Sequence, residues 1–519
     1  MLTGGCNIPA VERNGKEEGI LVDVLLTHSY HLNYDRKQVR KMQPYPPLGT
    51  LYAAGILRRR GFSVALFDSM LEDPEQGFAQ ALARHRPKIV AIYEDNFNFL
   101  TKMCLTRMRR VAFGMMDAAK AFGSKVVVNG SDASDHTREY LERGADYVLL
   151  GEAEETLLEL AESLVASSGG NIADIRGLAY PGACGGVPVR TPSRPLLRNL
   201  DQLPLPARDL IDVERYRDAW QQAHGFFSLN LVASRGCPYR CNWCAKPIYG
   251  DSFHARSPES VALEMRELRD TFGADHLWFA DDLFGINNRW VQELANEVER
   301  HGAAVPFKMQ SRADLLVGET VQALARSGCV EIWMGVESGS QKILDAMQKG
   351  IRVEQAVAAR EHLRTHGIRA CYFLQFGYPG ETWGDIEKTI QLVRQTRPDD
   401  LGISVAYPLP GTRFHDRVRE QLGEKTNWID SEDLSMMFKG AYTSEFYRAL
   451  HDALHAEVES WSVPGTSKFA LRDPFASGLA ADPQERSERW MRVEKLEQTC
   501  RNADATLVPA LACSSVGCG

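Results

Sequence analysis

Short apolar runs alternate with amphipathic helical stretches along the first third of the chain, from Ile20 onwards. Strands that are apolar along their whole length are buried on both faces, as in parallel sheets that helices cover on both sides. The alternation predicts a doubly wound α/β domain over residues 19–165, with ligands beyond the carboxyl ends of its strands. The apolar runs are ILVDVLL, SVALF, KIVAIY, KVVVN and YVLL.

A second series of strands and helices follows a segment that breaks the pattern. Residues 166–225 are rich in Gly, Pro and Arg, which predicts a linker with a hairpin. Six β-α units then predict a partial (β/α)6, TIM-like barrel over residues 226–420, with its chemistry at the carboxyl ends of the strands. Residues 421–519 are predicted to form a mostly helical C-terminal region that ends in a flexible tail.

The composition limits the partners. The chain has 60 Lys and Arg residues against 68 Asp and Glu residues, a net charge of −8, and no basic stripe that would follow a phosphate backbone. No stretch approaches the roughly 18 apolar residues that a membrane span needs, and the N-terminus shows no apolar leader behind a basic start. We therefore expect a cytoplasmic protein that acts on a small molecule, without a nucleic-acid partner or a membrane span.

Three of the eleven cysteines are bunched in one loop, SRGCPYRCNWCAKP, directly after the first strand of the second series. Cys237, Cys241 and Cys244 have the spacing C-x3-C-x2-C. A structural zinc site has four ligands, so a zinc interpretation needs a distant fourth ligand such as a histidine. Three thiolates on an iron–sulfur cube instead leave one iron open to a small chelating molecule. Cys513 and Cys518 are expected to be spectators, with an auxiliary cluster or a redox pair as the alternative.

The triplet, its place after a first barrel strand and the six β-α units resemble the radical S-adenosylmethionine (SAM) superfamily. The resemblance implies that the three cysteines hold a [4Fe–4S] cluster and that S-adenosyl-L-methionine chelates the open iron through its amino and carboxylate groups. An electron from the cluster then cleaves the sulfonium to give a 5′-deoxyadenosyl radical. Trp243, just before the third cysteine, matches the usual aromatic position of the family.

The resemblance also implies that other strand ends orient the SAM molecule. Asp281 and Asp282 stand where the family often has Gly-Gly-Glu, and they depart from this motif, which holds the methionyl amino group. An arginine fork suits a carboxylate, so Arg312 is expected to face the methionyl carboxylate. An ordinary solvated charge is the alternative for Arg312 and Asp281. The expected contacts on the ribose and adenine side are Glu337, Ser338, Gly377, Gly380 and Pro408.

The N-terminal domain resembles the Rossmann- or flavodoxin-like cobalamin-binding domain of one branch of this superfamily, on PYPPLGTLYAAGILRRRGFSVALFD, VNGSDAS and GADYVLLGEAEETLLEL. It has neither a G-x-G-x-x-G dinucleotide motif nor the Asp-x-His-x-x-Gly that supplies a histidine to cobalt in other cobalamin proteins. A scaffold that no longer binds a cofactor is the alternative. The expected cobalamin contacts at the strand ends are Pro47, Leu48, Gly49, Thr50, Gly130, Ser131, Gly151 and Glu152.

Two polar segments of this domain leave alternatives open. Residues 93–99, YEDNFNF, are either a contact with the substrate-facing side of the corrin or an ordinary polar turn. His28 and His31 are candidate cobalt ligands, but histidines beside a strand are more often structural or hydrogen-bond partners.

A radical-generating cluster beside a cobalamin domain suggests methyl transfer to an unactivated carbon or phosphorus centre of a biosynthetic intermediate. The segment TNWIDSEDLSMMFKGAYTSEFYRAL resembles the anaerobic magnesium-protoporphyrin ester cyclase, which leaves a radical cyclase or oxidoreductase as an alternative. A cobalamin-binding regulatory module without radical chemistry is the third hypothesis. Aromatic and methionine residues after residue 420 hint at a large, partly apolar substrate. The family resemblance implies a flavodoxin- or ferredoxin-type electron donor.

Overall fold

The computed structural model describes residues 21–103, 105–165, 170–183, 186–423, 429, 434–461, 469 and 482–507. These residues form two large β-sheets with helices around them, followed by a helical C-terminal region, so the predicted α/β class is confirmed. Within these residues, no helix is both long enough and apolar enough to span a membrane. The predicted flexible tail, with Cys513 and Cys518, lies outside the described residues.

The first sheet has the strand order β2-β1-β3-β4-β5-β6-β7, with its strands at β1 (Val24–Thr27), β2 (Val64–Phe67), β3 (Ile89–Tyr93), β4 (Lys125–Asn129), β5 (Tyr147–Leu149), β6 (Leu178–Tyr180) and β7 (Val189–Arg190). Strands β1 to β5 are parallel, whereas β6 and β7 form an antiparallel hairpin that extends one edge. The parallel order 2-1-3-4-5 is the flavodoxin-like one, in which ligands bind where the order reverses between β1 and β3.

Helices cover both faces of this sheet. Leu25, Val90 and Val128 pack under the helices at residues 76–85 and 106–122. Their strand neighbours Leu26 and Val127 pack under the helices at residues 48–59 and 154–165. Alternate side chains of a strand point to opposite faces, so both faces are apolar and the strands read as continuous apolar runs. The helices are α1 (Arg36–Lys41), α2 (Leu48–Arg59), α3 (Gln76–His85), α4 (Phe99–Lys102), α5 (Thr106–Phe122), α6 (Ser131–Asp135), α7 (Thr137–Glu142) and α8 (Glu154–Val165).

The second sheet contains the six predicted barrel strands, all parallel and adjacent in chain order. Among the described residues its two edge strands do not pair with each other, which gives an open, partial barrel. Two short antiparallel strands, β9 and β10, bracket the cysteine loop. The strands are β8 (Ser228–Leu231), β9 (Ser234–Arg235), β10 (His254–Ala255), β11 (His276–Phe279), β12 (Phe307–Ser311), β13 (Cys329–Glu337), β14 (Arg369–Phe376) and β15 (Asp400–Val405).

Among the described residues, the helices that alternate with the strands cover the outer face of the second sheet. Leu229, Phe279, Met334 and Leu374 are buried there in one apolar cluster with the helices. The alternate residues of the same strands face the inside of the barrel, which we call the lumen. The helices of this part are α9 (Val213–His224), α10 (Pro258–Asp270), α11 (Asn288–Arg300), α12 (Gly318–Ser327), α13 (Gln341–Ala346), α14 (Val353–Thr365), α15 (Trp383–Thr396) and α16 (Arg413–Leu422).

The C-terminal region contributes two helices, α17 (Ser444–Trp461) and α18 (Pro483–Leu507), which pack against each other. Helix α17 buries Phe446, Leu450 and Leu454 in the same apolar cluster as the barrel, so it is part of the barrel core. Five 3-10 helices complete the described structure, at Leu32–Tyr34, Ile172–Asp174, Leu200–Gln202, Arg208–Leu210 and Ala313–Leu315.

Candidate active site

The cysteine loop leaves β9 between the two sheets. Gly236 has φ +81°, and a Cβ atom there would lie 2.2 Å from the carbonyl oxygen of Ser252, so this position requires glycine. The three cysteines that follow, Cys237, Cys241 and Cys244, are all half-buried. The chain therefore turns at a fixed angle into a short segment that carries all three thiols.

Hydrogen bonds hold the cysteine loop in shape. The Lys246 ammonium donates to the carbonyl oxygen of Cys237 at 2.9 Å and to that of Tyr239 at 2.5 Å. The Tyr378 hydroxyl, which follows β14, donates to the side-chain oxygen of Asn242 at 2.9 Å. The loop is thus fastened both to itself and to the mouth of the barrel.

The three sulfur atoms do not all lie as close together as the ligands of a single ion do. Around one zinc ion, with Zn–S distances of about 2.3 Å, the sulfurs would lie within roughly 4 Å of one another. Among the described residues, the only group of three or more candidate ligands within 4.8 Å of one another is Glu259, Glu297 and His301. The cysteines do not form such a group, as expected for thiolates that bind separate irons. Burial raises the pKa of the Cys237 thiol, and the positive charge of bound iron would oppose that effect.

Two predicted SAM contacts meet through Lys349 at the barrel mouth. Arg312 follows β12, and its Nη1 donates to the carbonyl oxygen of Lys349 at 2.9 Å. The Lys349 ammonium donates to Oε1 of Glu337, which ends β13 with φ +63°, at 2.7 Å. The Arg312 guanidinium pairs with Asp314 and lies 3.7 Å from the centroid of the Tyr239 ring in the cysteine loop. Lys349 was missed by the sequence analysis because it follows a helix, where no strand-end pattern marks it.

Asp281 acts as a buried acceptor that joins two strands. Its carboxylate accepts hydrogen bonds from the backbone N–H of Ala233 at 3.1 Å and from the Ser234 hydroxyl at 2.5 Å. Burial raises the pKa of Asp281 to about 7. The neighbouring Asp282 is half-buried and close enough to Cys237 to raise the pKa of its thiol further. Direct contacts of either aspartate with SAM stay predictions.

The remaining predicted SAM contacts lie at the carboxyl ends of β13 to β15. Gly377 has φ +77°, and a Cβ atom there would lie 2.8 Å from Sδ of Met436, so the C-terminal region closes over this turn. The Gly377 N–H donates to Oε2 of Glu381 at 2.6 Å. The Ser338 hydroxyl lies 3.2 Å from that of Thr389. The structure thus brings to one rim the predicted Ser338, Gly377, Gly380 and Pro408.

The start of α2 packs on the carboxyl end of β3. The Gly49 N–H donates to Oδ1 of Asp95 at 3.0 Å, and the Thr50 hydroxyl donates to the carbonyl oxygen of Tyr93 at 2.6 Å. A Cβ atom on Gly49 would lie 3.1 Å from the backbone nitrogen of Asn96. Residues 93–97 therefore form a turn that is packed on α2, while a corrin contact of this segment stays a prediction. Four predicted cobalamin residues lie at this point: Pro47, Leu48, Gly49 and Thr50.

Ser131 offers an unused polar group at the next strand end. It follows Gly130, the residue after β4, which has φ +153°. The Ser131 hydroxyl is buried and has no hydrogen-bond partner among the described residues. A buried hydroxyl without a partner costs free energy, so a bound polar group at this edge would be favourable. This position fits the cobalamin site that the resemblance implies.

Glu152 is engaged in contacts within the protein. Its Oε1 accepts from Nη1 of Arg235 at 2.6 Å, and its Oε2 accepts from the backbone N–H of Leu197 at 2.6 Å. The preceding Gly151 has φ +71° and leads from β5 into this turn. Glu152 therefore ties the first sheet to the start of the cysteine loop, a contact between residues 83 positions apart that no local pattern reveals.

Both candidate histidines have protein partners. His28 Nε2 lies 2.9 Å from Oδ1 of Asp68, and its Nδ1 lies 3.4 Å from the Ser69 hydroxyl. His31 Nδ1 lies 2.8 Å from the carbonyl oxygen of Ser69. The preferred interpretation of these histidines as structural residues therefore agrees with their contacts.

The lumen carries polar and aromatic residues that the sequence analysis did not single out. The rings of Trp333 and Phe373 stack with centroids 4.9 Å apart, and both are half-buried. A Cβ atom on Gly402 would lie 2.8 Å from the Phe373 ring, so this glycine makes room for the pair. The sequence pattern that could have identified these inner-face residues is the alternation of side chains within strands such as EIWMGVE. The half-buried residues on this face include Trp278, Gln310, Trp333, Phe373 and Ser404.

Comparisons with known proteins agree with this geometry. Residues 231–393 match the family model of the radical SAM superfamily, and residues 42–161 match that of the B12 binding domain. An uncharacterized methyltransferase of Pyrococcus horikoshii is 28% identical over 78% of this chain and 88% of its own length. The anaerobic magnesium-protoporphyrin IX monomethyl ester cyclase of Rubrivivax gelatinosus is 25% identical over 78% of this chain and 71% of its own length.

A solved structure shares the fold over most of this chain. It is the cobalamin-dependent SAM radical enzyme OxsB with aqua-cobalamin and SAM bound, at a TM-score of 0.65 and 17% identity, covering 95% of this chain and 73% of the OxsB chain. The fold and the three-cysteine loop define a radical enzyme that uses an iron–sulfur cluster. The chain therefore carries a radical SAM domain and, ahead of it, a B12-binding domain.

The two matched domains imply three cofactors: a [4Fe–4S] cluster, SAM and cobalamin. The described residues fit them. Three half-buried thiols lie in one braced loop, and the Ser131 hydroxyl lies unpaired at the edge of the first sheet. The Trp243 indole Nε1, inside the cysteine loop, is likewise buried without a hydrogen-bond partner among the described residues.

Proposed function

We propose that this protein is a cobalamin-dependent radical SAM methyltransferase that methylates an unactivated carbon or phosphorus centre of a biosynthetic intermediate. The observation that supports it is the contact between the two cofactor regions. Phe97, after β3 of the first sheet, stacks on Tyr249 of the cysteine-loop segment, with centroids 5.4 Å apart. The carboxyl edge of the B12-binding sheet therefore faces the cysteine loop, as transfer between two cofactors requires.

Each of the three cofactors has its own proposed binding residues. Cys237, Cys241 and Cys244 would hold the cluster, Arg312 and Glu337 would orient SAM, and the turns at α2 and after β4 would hold cobalamin. When bound, these groups supply a hydrogen-abstracting radical and a methyl group. The protein contributes orientation and exclusion of water. Met436 and Tyr447, which cover Gly377 at the rim, are suited to the second task.

The lumen is the proposed substrate chamber. Its half-buried aromatic pair, Trp333 and Phe373, offers an apolar surface, and Gln375 Oε1 is buried there without a hydrogen-bond partner among the described residues. Pockets for organic molecules combine apolar walls with a few polar groups that fix orientation. A partly apolar small molecule with at least one hydrogen-bond donor fits this chamber.

The proposed setting is a reducing one. Thiols that bind iron must stay reduced, which favours the cytoplasm over an oxidising compartment. The proposed electron donor is a flavodoxin- or ferredoxin-type protein. Pro238 and Arg240 of the cysteine loop are exposed, so a small redox protein can reach this loop from solvent.

A radical cyclase is the second candidate function. It is supported by the 25% identity to the anaerobic cyclase across most of this chain. A regulatory module without radical chemistry would not need the braced cysteine loop, and the match of residues 231–393 to the radical SAM superfamily argues against it.

The deciding experiment is anaerobic reconstitution with iron, sulfide, cobalamin and SAM, followed by mass analysis of products from a host metabolite extract. We expect a product heavier by one methyl group, together with 5′-deoxyadenosine and S-adenosylhomocysteine. Omission of cobalamin is the control, and it should abolish the methylated product and S-adenosylhomocysteine but leave 5′-deoxyadenosine formation. Deoxyadenosine without any methylated product would favour the cyclase, and cobalamin binding without deoxyadenosine would favour the regulatory module.

A further inference from the structure

The Arg235 side chain is buried between the two sheets, two residues before Cys237. Its Nη1 donates to Oε1 of Glu152 at 2.6 Å, and its Nη2 lies 2.8 Å from Oε1 of Glu154. Both glutamates follow β5, at the carboxyl edge of the first sheet. One guanidinium therefore links the strand that precedes the cysteine loop to the edge of the B12-binding domain.

Three aromatic rings surround the same guanidinium. Its central carbon lies 5.3 Å from the ring centroid of Tyr52, 5.4 Å from that of Phe97 and 5.3 Å from that of Tyr249. Tyr52 and Phe97 belong to the first domain, whereas Tyr249 belongs to the cysteine-loop segment. Cation–π contacts are stronger when they are shielded from water, as they are here. We call Arg235, Glu152, Glu154, Tyr52, Phe97 and Tyr249 the Arg235 clamp.

We propose that the Arg235 clamp positions the cysteine loop against the carboxyl edge of the B12-binding sheet, and that Arg235 is a positioning residue for the reaction. The role of Arg235 in the reaction rests on the proposed function. The contacts that form the clamp are all within the protein and do not depend on it. Gly236 fits only without a side chain, so the backbone between Arg235 and Cys237 has little room to adjust. A displacement of Arg235 is therefore passed directly to the first cysteine.

The chemistry of the clamp requires arginine. A planar guanidinium can reach two carboxylates at once, whereas a lysine ammonium is a single point charge. Burial raises the pKa of Glu152, the charge of Arg235 opposes this, and Glu154 raises the pKa further. Without the guanidinium, two carboxylates would lie close together in a buried place without compensation, and they would separate or take up protons.

The test compares Arg235→Lys and the milder Glu152→Gln with Arg208→Lys as a matched control. Each variant is reconstituted with the iron–sulfur cluster and cobalamin. Arg208 is equally buried, but its partners are Glu264 at 2.8 Å and the carbonyl oxygen of Asn230, both in the barrel. Hydrogen exchange is measured by mass spectrometry in the cysteine loop and in residues 94–97 and 151–154. Electron paramagnetic resonance reports the magnetic interaction between the reduced cluster and paramagnetic cobalamin.

We expect both clamp variants to speed hydrogen exchange by about tenfold or more in all three segments together, and to change the magnetic interaction, while Arg208→Lys does neither. The proposal is overturned if Glu152→Gln leaves exchange unchanged, or if the control variant produces the same coupled change. Exchange does not depend on turnover. A wild-type protein that binds both cofactors but methylates nothing would therefore contradict the proposed function and still allow the clamp to be judged.

Discussion

The two sheets of this protein are built from similar parallel strands but bury them differently. In the first sheet, Val127 and Val128 point to opposite faces, and each is covered by helices. In the second sheet, Ile403 packs under the helices, while its neighbour Ser404 faces the lumen. The first sheet can therefore offer ligand contacts only at its edge, whereas the second offers its edge and the half-buried part of its inner face.

This difference separates the roles of the two domains. A sheet that is sealed on both sides leaves its strand ends for ligands, and there the Ser131 hydroxyl has no hydrogen-bond partner in the described part of the chain. A sheet with an open inner face can enclose a substrate and still present its strand ends to a cofactor. The arrangement matches a cofactor that is held at one domain and a reaction that is confined in the other.

The largest expected effect comes from placing the same charge in both sheets. Val128→Asp puts an unpaired carboxylate in a sealed core and should lower the free energy of unfolding by about 4 kcal/mol or more. Ser404→Asp puts it on the lumen face, where we expect a loss of about 1 kcal/mol or less. Urea unfolding followed by circular dichroism measures both, and equal losses would contradict the contrast between the sheets.

Buried carboxyls near the two sheets should respond to pH in opposite ways. Burial raises the pKa of Glu381, at the barrel rim, to about 8, and the hydrogen bond from Gly377 and the charge of Lys342 offset this only in part. Burial also acts on Asp132 after β4, but hydrogen bonds from Arg109 and His136 outweigh it and lower the pKa to about 2. The Glu381 contribution to stability is therefore present below pH 4.5 and lost as the pH rises to 8. The Asp132 contribution is present above pH 3.8 and lost as the pH falls to 2.

Glu381→Gln should remove the first of these dependences. The variant keeps an acceptor for the Gly377 N–H, so we expect wild-type stability near pH 5 and a gain of a few kcal/mol near pH 9. Asp132→Asn is the counterpart, and it should be less stable than wild type at neutral pH but not near pH 2. Thermal unfolding across this pH range tests both, and a Gln variant that lost stability at pH 9 would refute the assignment of a neutral Glu381.

Removal of a lumen ring should affect catalysis more than folding. Trp333→Ala takes away one ring of the half-buried pair, and we expect the yield of methylated product to fall by about tenfold, which corresponds to about 1.4 kcal/mol. Iron and cobalamin contents should stay unchanged. Trp490→Ala, in α18 outside the barrel, is the control and should keep full activity. A Trp333 variant with normal yield would exclude the lumen as the substrate chamber.

The smallest effects are expected at exposed ion pairs on the covering helices. Arg138 pairs with Glu142 on α7 of the first domain at 2.7 Å, and Arg289 pairs with Glu293 on α11 of the barrel at 2.8 Å. Arg138→Ala and Arg289→Ala should each change the free energy of unfolding by about 0.5 kcal/mol or less. A change above 1 kcal/mol in only one of them would mean that the two domains differ in their surfaces as well as in their sheets.

Much of the fold could be predicted because the signals are local. Continuous apolar runs predicted the first sheet, and the order of six β-α units predicted the second. The pairing of the β6–β7 hairpin with β5 at the sheet edge was not predicted. Strand neighbours depend on contacts between distant residues, which a local pattern does not contain.

The candidate site was predictable to a smaller extent for the same reason. The cysteine triplet is a local motif, so its loop was found directly. Glu152 was predicted as a site residue only because it follows a strand. Its contact with Arg235 could not be predicted, because Arg235 lies in another domain. Lys349 links Arg312 to Glu337 from a turn after a helix, and Trp333 lies within a strand. Only the tertiary fold brings these residues to the site, so no local sequence pattern identifies them.

The most direct test of the account is the iron content of a protein without the three thiols. Wild type, the triple variant Cys237→Ala/Cys241→Ala/Cys244→Ala and the control Cys329→Ala, a buried barrel cysteine, are reconstituted anaerobically with iron and sulfide. We predict about four irons per chain and 5′-deoxyadenosine formation from SAM for wild type and control, and neither for the triple variant. A triple variant that kept its iron and still cleaved SAM would contradict the central claim.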